Sequence, residues 1–255
     1  MHIKKETGRA GIRGFTLIEL SIVLVIIGML VGVIVGGQSL LHQAALRAVI
    51  RDLQSYQTAV NTFRNQYDAS PGDFSTASTF WAGATNGSGD MRIGCTNVSS
   101  AANMAANCIE PVLAWRQLSL STIVPSNYSG VAGAGTAASP FFVPRTNIPA
   151  SKIMDGAGYV IYYDDATYLN SYNAHVILLG ASLTTGLGFT RSVISPVDAR
   201  TLDEKIDDRQ RDTGKLRAIT GGSPTGACNG GTAATSGNYD LTNITNACIL
   251  YWLLD

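Results

Sequence analysis

Apolar and polar positions divide the chain into three zones. Residues 15–35, FTLIELSIVLVIIGMLVGVIV, are apolar except for Thr16, Glu19, Ser21 and two glycines. A hydrocarbon core of ~30 Å is crossed by about 20 such residues in a helix, so the stretch is long enough to span a membrane. From residue 38 to 67 the pattern changes. Leu41, Ala45, Ala48, Val49, Leu53, Tyr56, Val60, Phe63 and Tyr67 recur mostly at spacings of three and four, which puts one apolar stripe along a helix. No Pro or Gly interrupts that zone, and Pro71-Gly72 follows it as a breaker. The two zones therefore predict one helix over residues 15–67. Its first half (15–37) belongs to a membrane or a filament core, and its second half (38–67) lies against a globular head (68–255).

The third zone carries shorter signals. Residues 74–110 and 121–150 read as loops, the first anchored by Phe80 and Trp81. PVLAWRQLSL (111–120) reads as a helix with Pro111 at its first position and Val112, Trp115 and Leu118 on one face. GYVIYY (158–163) and AHVILLG (174–180) read as an antiparallel strand pair. PVDARTLDEKIDDR (196–209) reads as a helix with Ser195 as N-cap. Strands are also expected over 215–219 and 249–254, with 221–247 as a long loop between them. No internal repeat is evident. The prediction is an α+β fold: a long N-terminal helix on an antiparallel sheet of three to five strands, decorated by long loops.

Composition adds a direction. The chain has 18 basic and 18 acidic side chains, yet Lys4, Lys5, Arg9 and Arg13 face only Glu6 before residue 15. That basic end is the one expected to stay in the cytoplasm. No later basic patch interleaves with aromatics, so there is no nucleic-acid signal. Beyond about residue 70 the chain is rich in Gly, Ala, Ser, Thr and Asn, the surface of an exported protein rather than a cytosolic enzyme. All four cysteines, Cys95, Cys108, Cys228 and Cys248, follow the apolar stretch and none forms a CxxC. Their even number in a loop-rich exported region predicts two disulfides, with free buried thiols as the alternative. The pairs Cys95–Cys108 and Cys228–Cys248 each close a short loop, which contributes roughly 3 kcal/mol for about 15–20 residues.

The junction of basic and apolar segments is specific. Arg13-Gly14-Phe15-Thr16-Leu17-Ile18-Glu19-Leu20 resembles the class III signal of type IV pilins and type II secretion pseudopilins. That family has a short basic leader, a Gly before the cut, a Phe after it and a Glu five residues into the mature chain. The resemblance implies that residues 1–14 are a leader, cut by a membrane prepilin peptidase between Gly14 and Phe15. It implies N-methylation of Phe15 and assembly through Glu19 paired with the Phe15 amine of a neighbouring copy. A carboxylate in hydrocarbon costs ~2.5–3.5 kcal/mol, which such a partner offsets; the other reading is a Glu19 that snorkels to the membrane face. Gly28, Gly32 and Gly36 form a small-residue row for close helix approach, or are ordinary bilayer glycines. Many pilins have a Pro within the apolar stretch, and this chain has none before Pro71.

Catalytic constellations are missing from the sequence. It contains no Gly-x-Ser-x-Gly, His-Glu-x-x-His or P-loop, and His2, His42 and His175 stand far apart. No enzyme and no cofactor are expected. Several pseudopilins bind calcium in the head, and Asp203, Asp207, Asp208 and Asp212 offer clustered oxygens for a hard cation. The competing reading is a salt-bridged surface helix, because Lys205, Arg209 and Arg211 interleave with the acids. The function expected from the resemblance is a structural subunit of a type IV pilus-like filament. Its partners would be copies of itself, the peptidase, an inner-membrane assembly platform and, before assembly, the membrane. A pseudopilin or minor pilin is the alternative within the class. A membrane-anchored periplasmic binding protein is the alternative outside it.

Overall fold

Helix α1 runs from Leu17 to Tyr67 without a break. It stops where Asp68 enters the left-handed region at φ 51 and its N–H donates to the Arg64 carbonyl at 2.9 Å. A short polar residue is among the few non-glycines that take this position readily. The computed structural model describes residues 15–94, 109–136, 138–165, 173–183, 188–222, 227–229 and 237–254. By their contacts, residues 1–44 and 45–255 form two separate units. In the first, the large apolar side chains of α1 are exposed, from Leu17 at 88% to Ile27 at 50%. In the second, the stripe Leu46, Val49, Leu53, Val60 and Phe63 is at most 1% exposed. The change falls where the sequence pattern turns from all-apolar to one-sided.

Four strands form one antiparallel sheet: β1 (Ala157–Asp165), β2 (Asn173–Ala181), β3 (Leu216–Thr220) and β4 (Cys248–Leu253), in the order β1-β2-β4-β3. Tyr159 pairs with Leu179, Ile177 with Trp252, and Trp252 with Leu216. The strands are buried along almost their whole length, so they read as continuous apolar runs rather than alternations. One face meets α1: the Tyr159 ring packs edge-on against Tyr56 at 5.1 Å, its hydroxyl donates to Asp52 at 3.2 Å, and the Trp252 indole donates to Gln57 at 3.2 Å. Loops cross the other face. Gly158 and Gly180 are paired there, and a Cβ on either would collide with the carbonyl oxygen of Pro149 or Phe189. These glycines let two loops lie directly on the sheet.

Three shorter helices complete the described fold: α2 (Ala77–Phe80), α3 (Glu110–Leu120) and α4 (Pro196–Ile206). Helix α3 has Val112, Trp115 and Leu118 fully buried, and Trp115 packs against Tyr56 at 4.8 Å. Helix α4 starts as expected: Ser195 accepts from the Asp198 N–H at 3.1 Å, with Pro196 at its first turn. It ends at Ile206 and not at residue 209. Residues 74–94 are not plain loop. Phe63, Tyr67, Phe74, Phe80 and Trp81 form an aromatic cluster over the end of α1, with Trp81 packed on the core and Phe80 59% exposed.

Candidate functional site

The site the sequence singles out lies at the start of α1. Gly14 is outside the described residues; Phe15 is 88% exposed. Thr16 and Glu19 bond each other reciprocally. The Thr16 N–H and hydroxyl donate to the same Glu19 carboxylate oxygen at 2.8 and 2.7 Å, and the Glu19 N–H donates to the Thr16 hydroxyl oxygen at 3.3 Å. This is a capping box, in which a Thr at the cap and a Glu three residues on satisfy two of the backbone donors left over at a helix start. Glu19 therefore has a partner inside its own chain. The Thr-x-x-Glu spacing is the sequence signature of this box, and it adds a local role for Glu19 to pairing with a neighbour or snorkelling.

Beyond Glu19 the surface of α1 is apolar and is not covered by any of the described residues. An 18-residue window reaches a mean hydropathy of 2.9 with none of it buried. Gly28, Gly32 and Gly36 have nothing within 4 Å of where a Cβ would stand. Exposure on this scale far exceeds scattered surface leucines and marks a surface made for lipid or protein. It runs on to Leu40 and Leu41, 73% and 72% exposed.

The acidic run in the head is not a solvated helix face. The helix ends at Ile206, and Asp203 is fully buried, accepting from the Tyr239 hydroxyl at 2.8 Å and the Arg209 N–H at 3.3 Å. Asp207 accepts from the Lys215 and Leu216 N–H groups, and Asp208 from the Gln210 N–H and the Thr213 hydroxyl. Carboxylates spaced four apart only look like a surface pattern; three of them fold the turn between α4 and β3. Their oxygens come within 4.8 Å of one another, and Asp212 is not part of this group. Asp212 lies 3.8 Å from Arg211, and Glu204 pairs with Arg209.

A second group, unforeseen in the sequence, joins Asp73, Asp90 and Glu110. Asp73 accepts from the Ser88 hydroxyl at 3.0 Å and from the N–H groups of Gly89, Asp90 and Met91 at 2.6, 3.0 and 2.9 Å. Glu110 accepts from the N–H groups of Ser88 and Gly94. Two buried carboxylates thus hold residues 88–94 by their backbone. Cys228 and Cys248 form a disulfide with Cα atoms 5.0 Å apart; Cys95 and Cys108 lie outside the described residues. His175 is buried in β2 with its ring 5.1 Å from that of Tyr163, and His42 is exposed on α1.

A family model described as the prokaryotic N-terminal methylation motif matches residues 9–35. The match covers the end of the basic segment and the apolar start of α1, and over that stretch the chain is similar to proteins that carry this motif, which supports a type IV pilin-like or pseudopilin chain. No curated protein and no solved structure matched the chain.

Proposed function

We propose that the chain is a structural, non-enzymatic subunit of a type IV pilus-like filament. One observation carries the reading: the apolar surface that begins within the methylation motif has no cover among the described residues. A bilayer covers it first, and copies of the same helix cover it after assembly. The prepilin peptidase cuts between Gly14 and Phe15 and methylates Phe15. Glu19, held by Thr16 in the single chain, pairs with the Phe15 amine of a neighbour when an inner-membrane platform adds the subunit. The filament then lies in the periplasm or at the cell surface.

Mass spectrometry of the processed chain is the test. The expected mature terminus is N-methylated Phe15, and Glu19→Ala is expected to leave processing intact while abolishing filaments. A mature chain that begins elsewhere, or keeps residues 1–14, overturns the reading in favour of a membrane-anchored periplasmic binding protein. Electron microscopy of sheared material separates a pilin, with abundant long filaments of this chain, from a minor subunit or pseudopilin.

A further inference from the structure

The unit formed by residues 45–255 has two chemically different ends. Strand β1 runs beside α1. Tyr159, near the strand's start, bonds Asp52, whereas Tyr163, near its end, lines a cavity with Arg64 and Asp68. The Asp52 end is thus the one at which α1 enters this unit, and basic side chains gather there. Arg47 and Arg51 are exposed one turn apart on α1. Arg51 and Lys152 both lie within electrostatic range of Asp52. Lys152 and Arg145 line one cleft, Arg191 lines the next, and the two clefts share Pro144 and Gly156. None of these five side chains has a hydrogen-bond or salt-bridge partner among the described residues. The acids beside them are Asp155 and Asp52, the latter already bonded to Tyr159.

Arg145 is exposed on a fixed turn. It sits at φ 70, a conformation costly for a side-chain-bearing residue, in a turn closed by its own N–H to the Ile148 carbonyl at 2.8 Å. Asn147 ties the same turn to the carbonyls of Val131 and Phe141. The opposite end of the unit exposes Asp68, Asp90 and Asp165, with Arg64 lining the same cavity as Asp68 and the Arg92 guanidinium 4.8 Å from the Tyr163 ring. Unpaired basic side chains thus gather at the end where α1 enters the unit, whereas the charges of the far end are mixed.

We propose that the basic end is a docking surface for anionic phospholipid headgroups, engaged while the subunit is held in the membrane. The inference rests on the membrane-held stage of the proposed function. The uncovered apolar surface ends at Leu41, so Arg47 follows it by six residues, about 9 Å of helix. The headgroup layer is about 5–8 Å deep on each side, within reach of an arginine side chain. Basic side chains this close to an anionic surface are attracted to it, and the attraction fades within a Debye length.

Lys152 supplies a probe and Lys205, exposed on α4, an internal reference. The full mature chain is reconstituted into vesicles of phosphatidylcholine alone or with phosphatidylglycerol, and outward-facing heads are acylated with a membrane-impermeant amine reagent. Flotation with both vesicle types is read first; a chain that floats with neither overturns the membrane span itself. With the chain inserted, the ratio of Lys152 to Lys205 acylation is expected to fall roughly tenfold on anionic vesicles. High salt should restore it, and so should the triple substitution Arg47→Gln, Arg51→Gln, Arg145→Gln. Equal ratios in the two lipids overturn the docking surface and leave the span intact. A fall that follows protein density instead of lipid charge also overturns it, and assigns the surface to a second copy.

Discussion

Asp203 lies wholly inside the head, and burial pushes its carboxyl up to about 6, with Asp208 and Asp207 adding to the rise and the Tyr239 and Arg209 hydrogen bonds opposing it. A carboxyl raised in this way binds its proton more tightly folded than unfolded. Its contribution to stability is present below the unfolded value near 4 and is lost as pH rises through about 6. At neutral pH the buried charge is thus a cost, tolerated because Tyr239 and the Arg209 N–H solvate it. Thermal unfolding at pH 4.5 and 6.5 checks this. Relative to Asp203→Asn, the wild-type head should lose on the order of 1–2 kcal/mol between the two. A difference between the two proteins that stays constant with pH would show that Asp203 is not the group responsible. Thr16 and Glu19 show the other way a carboxylate is provided for, at the surface of a helix start, by a neighbour three residues back.

Among the elements, those with a long apolar signature were legible and those built on polar contacts were not. Helix α1, the four strands and α3 announce themselves through periodicity, breakers and Pro at a first turn. Residues 88–94 have no such pattern, because their placement comes from backbone N–H groups bonded to Asp73 and Glu110. In sequence those acids stand far apart and look like solvated charges. For the same reason the run after Asp203 has the four-residue spacing of a surface helix, although its carboxylates close a turn. At the start of α1 the family motif marked Glu19, but its bond to Thr16 was hidden behind the motif's better-known meaning. The segment 88–94 yields its own prediction. Asp73→Asn keeps the shape of the side chain but turns one acceptor oxygen into a donor facing backbone N–H groups. It should cost about 2–4 kcal/mol in denaturant unfolding, with faster hydrogen exchange confined to residues 88–94; an unchanged midpoint would mean water replaces the carboxylate without loss.

At the scale of the whole molecule, two units rely on different supports. The apolar half of α1 has its large side chains exposed among the described residues, whereas residues 45–255 bury a core of their own. The Cys228–Cys248 disulfide belongs to the second support. Cys248 opens β4, facing Thr220 of β3 and bridging to Ile194, and both half-cystines are fully buried. The bond closes a segment whose sequence separation is 20, rich in glycine and poor in apolar anchors. Tyr239, through its bond to Asp203, is one of the few large side chains that fasten the segment to the core. Closing a loop of this length contributes roughly 3 kcal/mol through the unfolded chain. In a domain of this size that corresponds to a melting shift of about 6–12 °C. The double substitution Cys228→Ala, Cys248→Ala should lower the melting temperature of the head by at least that much, since it also removes buried sulfur. It should leave vesicle flotation unchanged, because the disulfide lies within residues 45–255 and the apolar residues proposed to enter lipid precede them. If the head melts as before, Tyr239 and the β4 pairing hold the segment without the bond; if flotation is lost with the bond, the apolar helix depends on the head after all.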